Sequence, residues 1–163
     1  MSIFIEEQAK IPFPCSEDTA TTFTIGYENY DIERFVRVLR SQGIQRVIDV
    51  RRNPISRKKG FSKKVFSETL KKYGIEYVHL PQLGIPSSYR TELNCQADYD
   101  ALFEFYETEL IPQVMDSVRE AADLIREKPS VLVCFEKSPK QCHRYRLAKI
   151  IEKIYGFPVA NIK

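Results

Sequence analysis

The chain has 163 residues, of which 43% are hydrophobic and 29% are charged, and its net charge is +3. A chain of this length can form one domain with a sizeable core, and it is too short for two ordinary domains. No apolar run approaches the roughly 18 residues that a membrane-spanning helix needs, and Glu6, Glu7 and Lys10 interrupt any signal-peptide core. We therefore expect a cytoplasmic protein without a membrane partner.

Residues 1–22 lack hydrophobic periodicity and contain Pro12 and Pro14, which predicts an N-terminal arm. Residues 23–163 alternate between short apolar runs and helical patterns, so we expect them to form a single domain. The apolar runs are rich in β-branched residues and predict five strands, at residues 23–26, 46–50, 76–80, 131–135 and 158–162.

Four helical patterns lie between the predicted strands. Pro112 should break the long third pattern, because proline lacks the amide hydrogen and clashes with the preceding turn. At the start of the last pattern, Ser138, Pro139 and Gln141 predict a capping box with proline at the first helical position. The patterns begin at about Asp31, Ser62, Asp98 and Ser138, and they end at Gly43, Gly74, Glu127 and Gly156.

Alternation of strands and helices is typical of a parallel sheet. We predict an α/β fold: a single three-layer domain with a mostly parallel sheet of about five strands and helices on both faces. In such a sheet, ligands bind outside the carboxyl ends of the strands, where the following loops meet. The candidate residues there are Gly26 and Tyr27 after the first predicted strand, Asp49, Arg51 and Arg57 at the second, His79 at the third, and Cys134, Glu136, Cys142, His143 and Arg144 after the fourth.

Among these residues, Cys142, His143 and Glu136 are candidates for catalysis. Cys142 lies near the start of the last predicted helix, where the helix dipole and neighbouring cations would lower the pKa of a thiol. Glu136 and His143 have side chains that can transfer protons. An alternative interpretation treats His143 as a core histidine, because it shares the inward face of the helix with Leu147.

The arginines are candidates for anion binding. The guanidinium groups of Arg51 and Arg57 can clamp a phosphate bidentately. Arg144 lies at a predicted helix N-terminus, where unpaired amide hydrogens favour anions. For Asp49 we favour a structural role, in which the carboxylate holds an arginine or a loop amide. The predicted supporting residues are Gly26, Tyr27, Asp49, His79 and Cys134.

The positive charge of the chain is concentrated in one basic segment, residues 51–64, which carries no acidic side chain. The remainder of the chain is net acidic. A basic segment on an acidic body favours an anionic partner, such as a phosphorylated small molecule or a nucleic acid. The basic residues are Arg51, Arg52, Arg57, Lys58, Lys59, Lys63 and Lys64.

The four cysteines, Cys15, Cys95, Cys134 and Cys142, are widely spread along the chain. Their spacing lacks the density of a disulfide framework, so we expect reduced thiols. No Cys-x-x-Cys pair occurs, which argues against a structural zinc site. The sequence pattern therefore predicts no metal, and it identifies no cofactor.

Four sequence blocks follow one another along the chain: TIGY at residues 24–27, IDVRxxPxSRxxGF at 48–61, YxHLxxLG at 77–84 and CxExxPxxCHR at 134–144. In this order they resemble the domain-of-unknown-function family numbered 488. The resemblance covers about residues 23–163 and leaves out the N-terminal arm. It implies an α/β domain and supports the location of the site, and it leaves the chemistry open.

A weaker similarity extends to rhodanese-like sulfurtransferases and their phosphatase relatives. In those enzymes an aspartate-valine-arginine strand end, here residues 49–51, also precedes a later strand, a cysteine loop and a helix. They cradle an anion in a tight loop of about five residues between cysteine and arginine. Here residues 135–143 separate Cys134 from Arg144, and this longer loop contains Pro139 and no glycine.

Three functions are compatible with these patterns. The first is an enzyme or enzyme-like domain that binds a nucleotide or a nucleic acid, with Cys142, Glu136 and His143 near the reacting atom. The second is a rhodanese- or phosphatase-like thiol enzyme, with Cys142 or Cys134 as the nucleophile. The third is a non-catalytic module whose basic segment binds nucleic acid or protein. The sequence does not decide whether the protein is an enzyme.

Overall fold

A computed structural model describes residues 20–163 of the chain. The predicted N-terminal arm over residues 1–22 lies outside the described residues except for its last three positions, and Cys15 lies outside them too. None of the described helices combines the length and the apolar character needed to cross a membrane.

The apolar runs form a parallel five-stranded sheet, as the sequence predicts. The strand order is β3-β2-β4-β1-β5, and every neighbouring pair is parallel. The central strand β4 is buried over its whole length, as expected for a strand that is covered on both faces. The strands are β1 (Thr22–Gly26), β2 (Arg46–Asp49), β3 (Glu76–His79), β4 (Ser130–Cys134) and β5 (Val159–Asn161).

The helical patterns form α-helices that lie close to their predicted positions. Asp31 caps the first helix, because its carboxylate accepts a hydrogen bond from the Arg34 amide at 2.7 Å. Pro112 breaks the third pattern as predicted, and a π-helical turn (Tyr106–Leu110) and a 3-10 turn (Ile111–Gln113) fill the break. The helices are α1 (Ile32–Ser41), α2 (Lys63–Lys72), α3 (Gln96–Phe105), α4 (Met115–Glu127) and α5 (His143–Tyr155).

The start of the last helix differs from the prediction. Pro139–Gln141 form a separate 3-10 turn, and Cys142 has an extended backbone, with a φ of −136°, before α5 begins at His143. Ser138 makes no side-chain capping hydrogen bond, so the predicted capping box is wrong. Tertiary packing explains the later start, because the extended backbone of Cys142 turns the side chains of His143 and Arg144 into buried positions.

Side chains on the two faces of the sheet pack into separate hydrophobic clusters, since successive strand residues point to opposite faces. On β4, Val131 and Val133 join Phe35 of α1 and Phe66 of α2 on one face. Leu132 points to the other face, into the cluster formed with α3, α4 and α5. Helices therefore cover both faces of the sheet, and the predicted three-layer α/β fold is confirmed.

A charged group closes the amino end of β2, away from the candidate site. The buried Arg46 donates to the Leu124 carbonyl at 2.8 Å and to the Glu76 carboxylate at 2.9 Å, and it also pairs with Glu127. Lys128 contacts Glu76 at 2.7 Å. Hydrogen bonds from Lys128 and Arg46 hold the pKa of Glu76 below its ordinary value.

Candidate functional site

The carboxyl ends of β1, β2 and β4 lie side by side, because these strands are neighbours in the sheet. In their register, Gly26 pairs with Cys134 and Asp49 pairs with Val133. A cleft of about 390 Å³ opens at this edge, between the basic loop (residues 52–61) and the segment that follows β4. Of the residues predicted from the sequence, those that line the cleft are Tyr27, Arg51, Arg57, Cys134, Glu136 and His143.

The other predicted residues lie behind or beside the cleft. A second cavity, of about 640 Å³, has Gly26, Glu28 and Arg34 in its lining. None of the described cysteines and histidines lines that cavity, so the smaller cleft holds the chemically reactive side chains. The predicted residues outside the lining of the smaller cleft are Gly26, Asp49, His79, Cys142 and Arg144.

Asp49 and Arg51 form a buried ion pair at the end of β2. The Asp49 carboxylate accepts three hydrogen bonds from Arg51, from the backbone amide at 3.1 Å, from Nε at 2.8 Å and from Nη2 at 2.7 Å. It also accepts one from the Tyr77 hydroxyl at 2.6 Å. Burial and the Asp49 carboxylate together raise the pKa of Tyr77. Asp49 therefore positions Arg51 and does not reach the cleft.

The guanidinium of Arg51 is occupied by partners within the protein. Its Nη1 donates to the Tyr27 hydroxyl at 2.9 Å and to the Phe61 carbonyl at 2.7 Å. Burial by itself would lower the pKa of Arg51, but the hydrogen bonds and charge of Asp49 outweigh burial and raise the pKa. The Tyr27 ring stacks on Phe61 with the ring centres 4.3 Å apart. Arg51 and Tyr27 thus form a rigid wall of the cleft.

His79 supports the same wall from outside the cleft. Its Nε2 lies 2.8 Å from the Arg51 carbonyl oxygen, which can only accept, so Nε2 carries the hydrogen. Its Nδ1 then accepts a hydrogen bond from Lys63 Nζ at 3.3 Å. Both ring nitrogens are occupied, and the imidazole holds the Arg51 backbone in place.

His143 is fully buried at the base of the cleft, and its hydrogen bonds determine its tautomer. Nε2 lies 2.9 Å from the Val50 carbonyl oxygen, so this nitrogen carries the hydrogen. Nδ1 therefore presents its lone pair to Cys134 Sγ at 3.9 Å and to Arg90 Nη2 at 3.2 Å. His143 is thus a buried histidine whose basic nitrogen faces the reactive side chains.

Glu136 and Arg90 complete this group. Cys134 Sγ donates a hydrogen bond to Glu136 Oε2 at 3.4 Å, and Arg90 Nη1 contacts Glu136 Oε1 at 3.2 Å. Burial by itself would raise the pKa of Glu136, but the positive charge of Arg90 and hydrogen bonds to the carboxylate together outweigh burial and hold the pKa below its ordinary value. The carboxylate is therefore ionised at neutral pH.

Arg90 is the principal site residue that the sequence reasoning missed. It lies in an irregular segment well beyond β3, and it contacts residues 46 and 53 positions further along the chain. The available signal was its position in the loop that follows β3, near Gly84, whose Cβ would come within 2.3 Å of the Arg52 backbone. That close approach packs the Arg90 segment against the basic loop.

Cys142 lies in the interior behind Cys134. Its sulfur, the Cys134 sulfur and a ring nitrogen of His143 all lie within 4.8 Å of one another. Burial, together with the neighbouring Cys134, raises the pKa of the Cys142 thiol well above its ordinary value. The expectation of a lowered pKa is therefore wrong, because Cys142 precedes α5 in the core and is not an exposed residue in its first turn.

Arg144 and Gly26 hold the segment that follows β4. The buried Arg144 donates to the Glu136 carbonyl at 2.6 Å and to the Lys137 carbonyl at 3.3 Å. A Cβ on Gly26 would lie 1.8 Å from the same Glu136 carbonyl oxygen, so only glycine permits this approach. Both residues position Glu136, and the Arg144 guanidinium is directed at the backbone.

The outer wall of the cleft combines free positive charge with exposed apolar surface. Arg52 and Arg57 are exposed, and neither side chain has a hydrogen-bond or ion-pair partner within residues 20–163. Phe135 and Ile55 line the same cleft and are 42% and 83% exposed. Cations without internal partners beside an exposed aromatic ring suit a ligand that has both an anionic and a flat apolar part.

The chain belongs to the family described as Domain of unknown function DUF488, whose model matches residues 31–151. The match spans α1 to α5 and includes the basic loop, Arg90 and the cysteine-histidine group. No curated protein matches the chain. The family description assigns no activity, so the function has to be argued from the cleft.

Proposed function

We propose that the protein is an enzyme that acts on a phosphorylated ligand, a nucleotide or a nucleic acid, bound in the cleft between the basic loop and the end of β4. The observation that carries this proposal is the composition of the two walls. One wall offers the guanidinium groups of Arg52 and Arg57, which have no partner among the described residues, and the other offers Cys134, Glu136 and His143. A ligand held by the first wall would lie against the reactive groups of the second.

The basic loop would bind the phosphate. Arginine suits this role because its planar guanidinium donates two parallel hydrogen bonds to phosphate oxygens. Arg57 keeps the role expected from the sequence, and Arg52 replaces Arg51 and Arg144, whose guanidinium groups are directed at internal partners. The exposed ring of Phe135 would stack on a nucleobase. The phosphate and the nucleobase of the ligand would then both contact the cleft.

The reactive wall would perform the proton transfers. His143 holds a lone pair on Nδ1, because its Nε2 hydrogen is used by the Val50 carbonyl. Glu136 is an ionised carboxylate beside it, held by Arg90. A base and a carboxylate within one cleft are the groups that general acid–base catalysis requires.

A paired charge-removal experiment tests the binding step. The variant R52A/R57A removes the two arginines of the cleft that have no partner within residues 20–163. The control K59A/K64A removes two exposed cations of the same segment that do not line the cleft. Binding of a labelled single-stranded oligonucleotide should weaken about tenfold in R52A/R57A, and the slope of log K against log salt should fall by about 1.4. The control should keep the wild-type slope.

Equal losses in the two variants would show that the general charge of the segment attracts the ligand, and would overturn the assignment of the cleft.

A further variant, F135A, should weaken nucleotide binding about fivefold or more, while binding of inorganic phosphate stays unchanged. Its control is Y73A, which removes an aromatic ring of similar exposure outside the cleft. Catalysis is tested with H143Q, which should abolish turnover of any nucleotide or phosphoester substrate and retain binding.

A thiol enzyme is a second candidate function, and one observation favours it. Cys134 Sγ lines the cleft, 3.9 Å from the lone pair of His143 Nδ1, in the arrangement of a nucleophile and its base. This role would agree with the weaker similarity to rhodanese-like enzymes. Peptide mapping after brief iodoacetamide treatment at pH 7 tests it against Cys95, an exposed internal reference. If Cys134 is labelled faster than Cys95 in the wild type, and H143Q abolishes this difference, the thiol-enzyme candidate is supported. If Cys134 is labelled more slowly than Cys95, this candidate is rejected.

A further inference from the structure

We propose that Cys134, Cys142 and His143 bind a zinc ion at the base of the cleft, with Glu136 as the fourth ligand. The sulfur atoms of both cysteines and a ring nitrogen of His143 lie within 4.8 Å of one another, and all three residues are buried. The proposal goes beyond the function proposed above: it keeps ligand binding by Arg52 and Arg57, and it makes His143 and Glu136 metal ligands in place of proton-transfer groups.

The two separations measured from Cys134 fit tetrahedral coordination. With zinc bonds of about 2.3 Å to sulfur and about 2.1 Å to nitrogen or oxygen, neighbouring ligand atoms lie about 3.5–3.8 Å apart. Cys134 Sγ lies 3.4 Å from Glu136 Oε2 and 3.9 Å from His143 Nδ1. These two separations need a shift of only a few tenths of an ångström. Cys134 is therefore already placed for coordination together with His143 and Glu136. Glu136 lies outside the group of three residues whose ligand atoms are all within 4.8 Å of one another, so its carboxylate would have to move toward the other ligands.

The ligand chemistry and the outer contacts also favour zinc. Two thiolates and an imidazole select a thiophilic ion over magnesium or calcium, which prefer oxygen ligands. Nδ1 of His143 is the free nitrogen, and Nε2 already donates to the Val50 carbonyl at 2.9 Å. Metal-binding histidines almost always make such a hydrogen bond with their second nitrogen, because it orients the ring and determines the tautomer.

Charge balance explains how the site can exist with and without the ion. Without zinc, the Glu136 carboxylate is paired with Arg90 at 3.2 Å. With zinc, two thiolates offset the ion, and Glu136 remains balanced by Arg90. Arg90 must release His143 Nδ1, which it contacts at 3.2 Å. Its side chain is 32% exposed and lies on an irregular segment, so it can turn toward the cleft.

The expectation of no metal was based on the absence of a Cys-x-x-Cys pair. Here the 3-10 turn at Pro139–Gln141 and the extended Cys142 bring together Cys134 and Cys142, whose spacing in the sequence is longer than that of a Cys-x-x-Cys pair. A zinc ion in this place would exclude the thiol-enzyme candidate, because Cys134 would be a ligand. It would also exclude the proton-transfer roles of His143 and Glu136, because both would be ligands as well.

The test uses the full chain without a polyhistidine tag, purified under reducing conditions and exposed to zinc alone. Elemental analysis after removal of free metal should find about one zinc per chain in the wild type and in the control C95S. The variants C134S and C142S should retain less than about one tenth of that amount. The proposal would be overturned if C142S held as much zinc as the wild type, or if the wild type held no zinc.

Cobalt provides a measurement that does not depend on variants. Cobalt bound to the intact wild-type chain should show the intense visible bands of tetrahedral coordination together with sulfur-to-cobalt charge transfer. Octahedral bands would overturn the zinc proposal. So would a chain mass lower by two hydrogens in the reduced preparation, because that mass would mark a Cys134–Cys142 disulfide. The two proposals remain separable, because R52A/R57A should keep its zinc and bind the oligonucleotide about tenfold more weakly. If a wild-type chain that holds no zinc still bound the oligonucleotide, the zinc proposal would be refuted and the proposed ligand binding would stand.

Discussion

Replacing Asp49 with asparagine removes the charge of a buried carboxylate and keeps the shape of the side chain. In the folded protein Asp49 is 0% exposed and Arg51 is 6% exposed. The Arg51 guanidinium stays charged after the substitution, because arginine does not lose its proton in proteins. The variant D49N therefore leaves an unpaired positive charge in the interior.

The structure gives the expected magnitude. A surface ion pair contributes only about 0–1 kcal/mol, whereas removal of one partner from a buried pair costs about 3–5 kcal/mol. The burial of both side chains, and the three hydrogen bonds that Asp49 accepts from Arg51, place this pair in the second class. A loss of about 3–5 kcal/mol is a large part of the roughly 5–15 kcal/mol that stabilises a typical domain.

Urea unfolding at pH 7 measures the free energy of unfolding of the wild type, D49N, R51M and D49N/R51M. Far-UV circular dichroism is the suitable signal, because the chain contains no tryptophan. The double variant has no unpaired buried charge, so we expect it to be more stable than D49N. If the two single losses add in the double variant, or if D49N loses less than about 1 kcal/mol, the reasoning is refuted.

Three further substitutions can be measured in the same way. G26A should cost about 1–3 kcal/mol, because its Cβ would lie 1.8 Å from the Glu136 carbonyl oxygen; an unchanged stability would contradict that close approach. Y106F should cost about 1 kcal/mol, because the buried hydroxyl donates to the Leu83 carbonyl at 2.7 Å; a stabilised variant would contradict this. E76Q should cost less than about 1 kcal/mol at pH 7. The pKa of Glu76 is lower in the folded chain, so its contribution is complete above the ordinary pKa of about 4.3 and is lost as the pH falls through the lowered value. The difference between E76Q and wild type should therefore shrink toward about pH 3, and a difference that grows there would count against the ion pair.

The amino-acid sequence by itself determined the fold class, the five strands and the edge of the sheet at which the polar side chains that follow the strands meet. These properties follow from the periodicity of neighbouring residues, which decides whether a segment buries one face as a strand or as a helix. The break at Pro112 and the cap at Asp31 are local effects of the same kind. The polar residues at the strand ends could be assigned to one edge, because parallel strands end together.

Only the tertiary structure decided which side chains face the cleft and which are used inside the protein. Arg51 and Arg144 have the sequence context of anion-binding residues, but their guanidinium groups are directed at Asp49 and at backbone carbonyls. Arg90 has no such context and contacts both Glu136 and His143. The physical reason is that a side chain's partners depend on distances between segments far apart in sequence, and local periodicity carries no information about those distances.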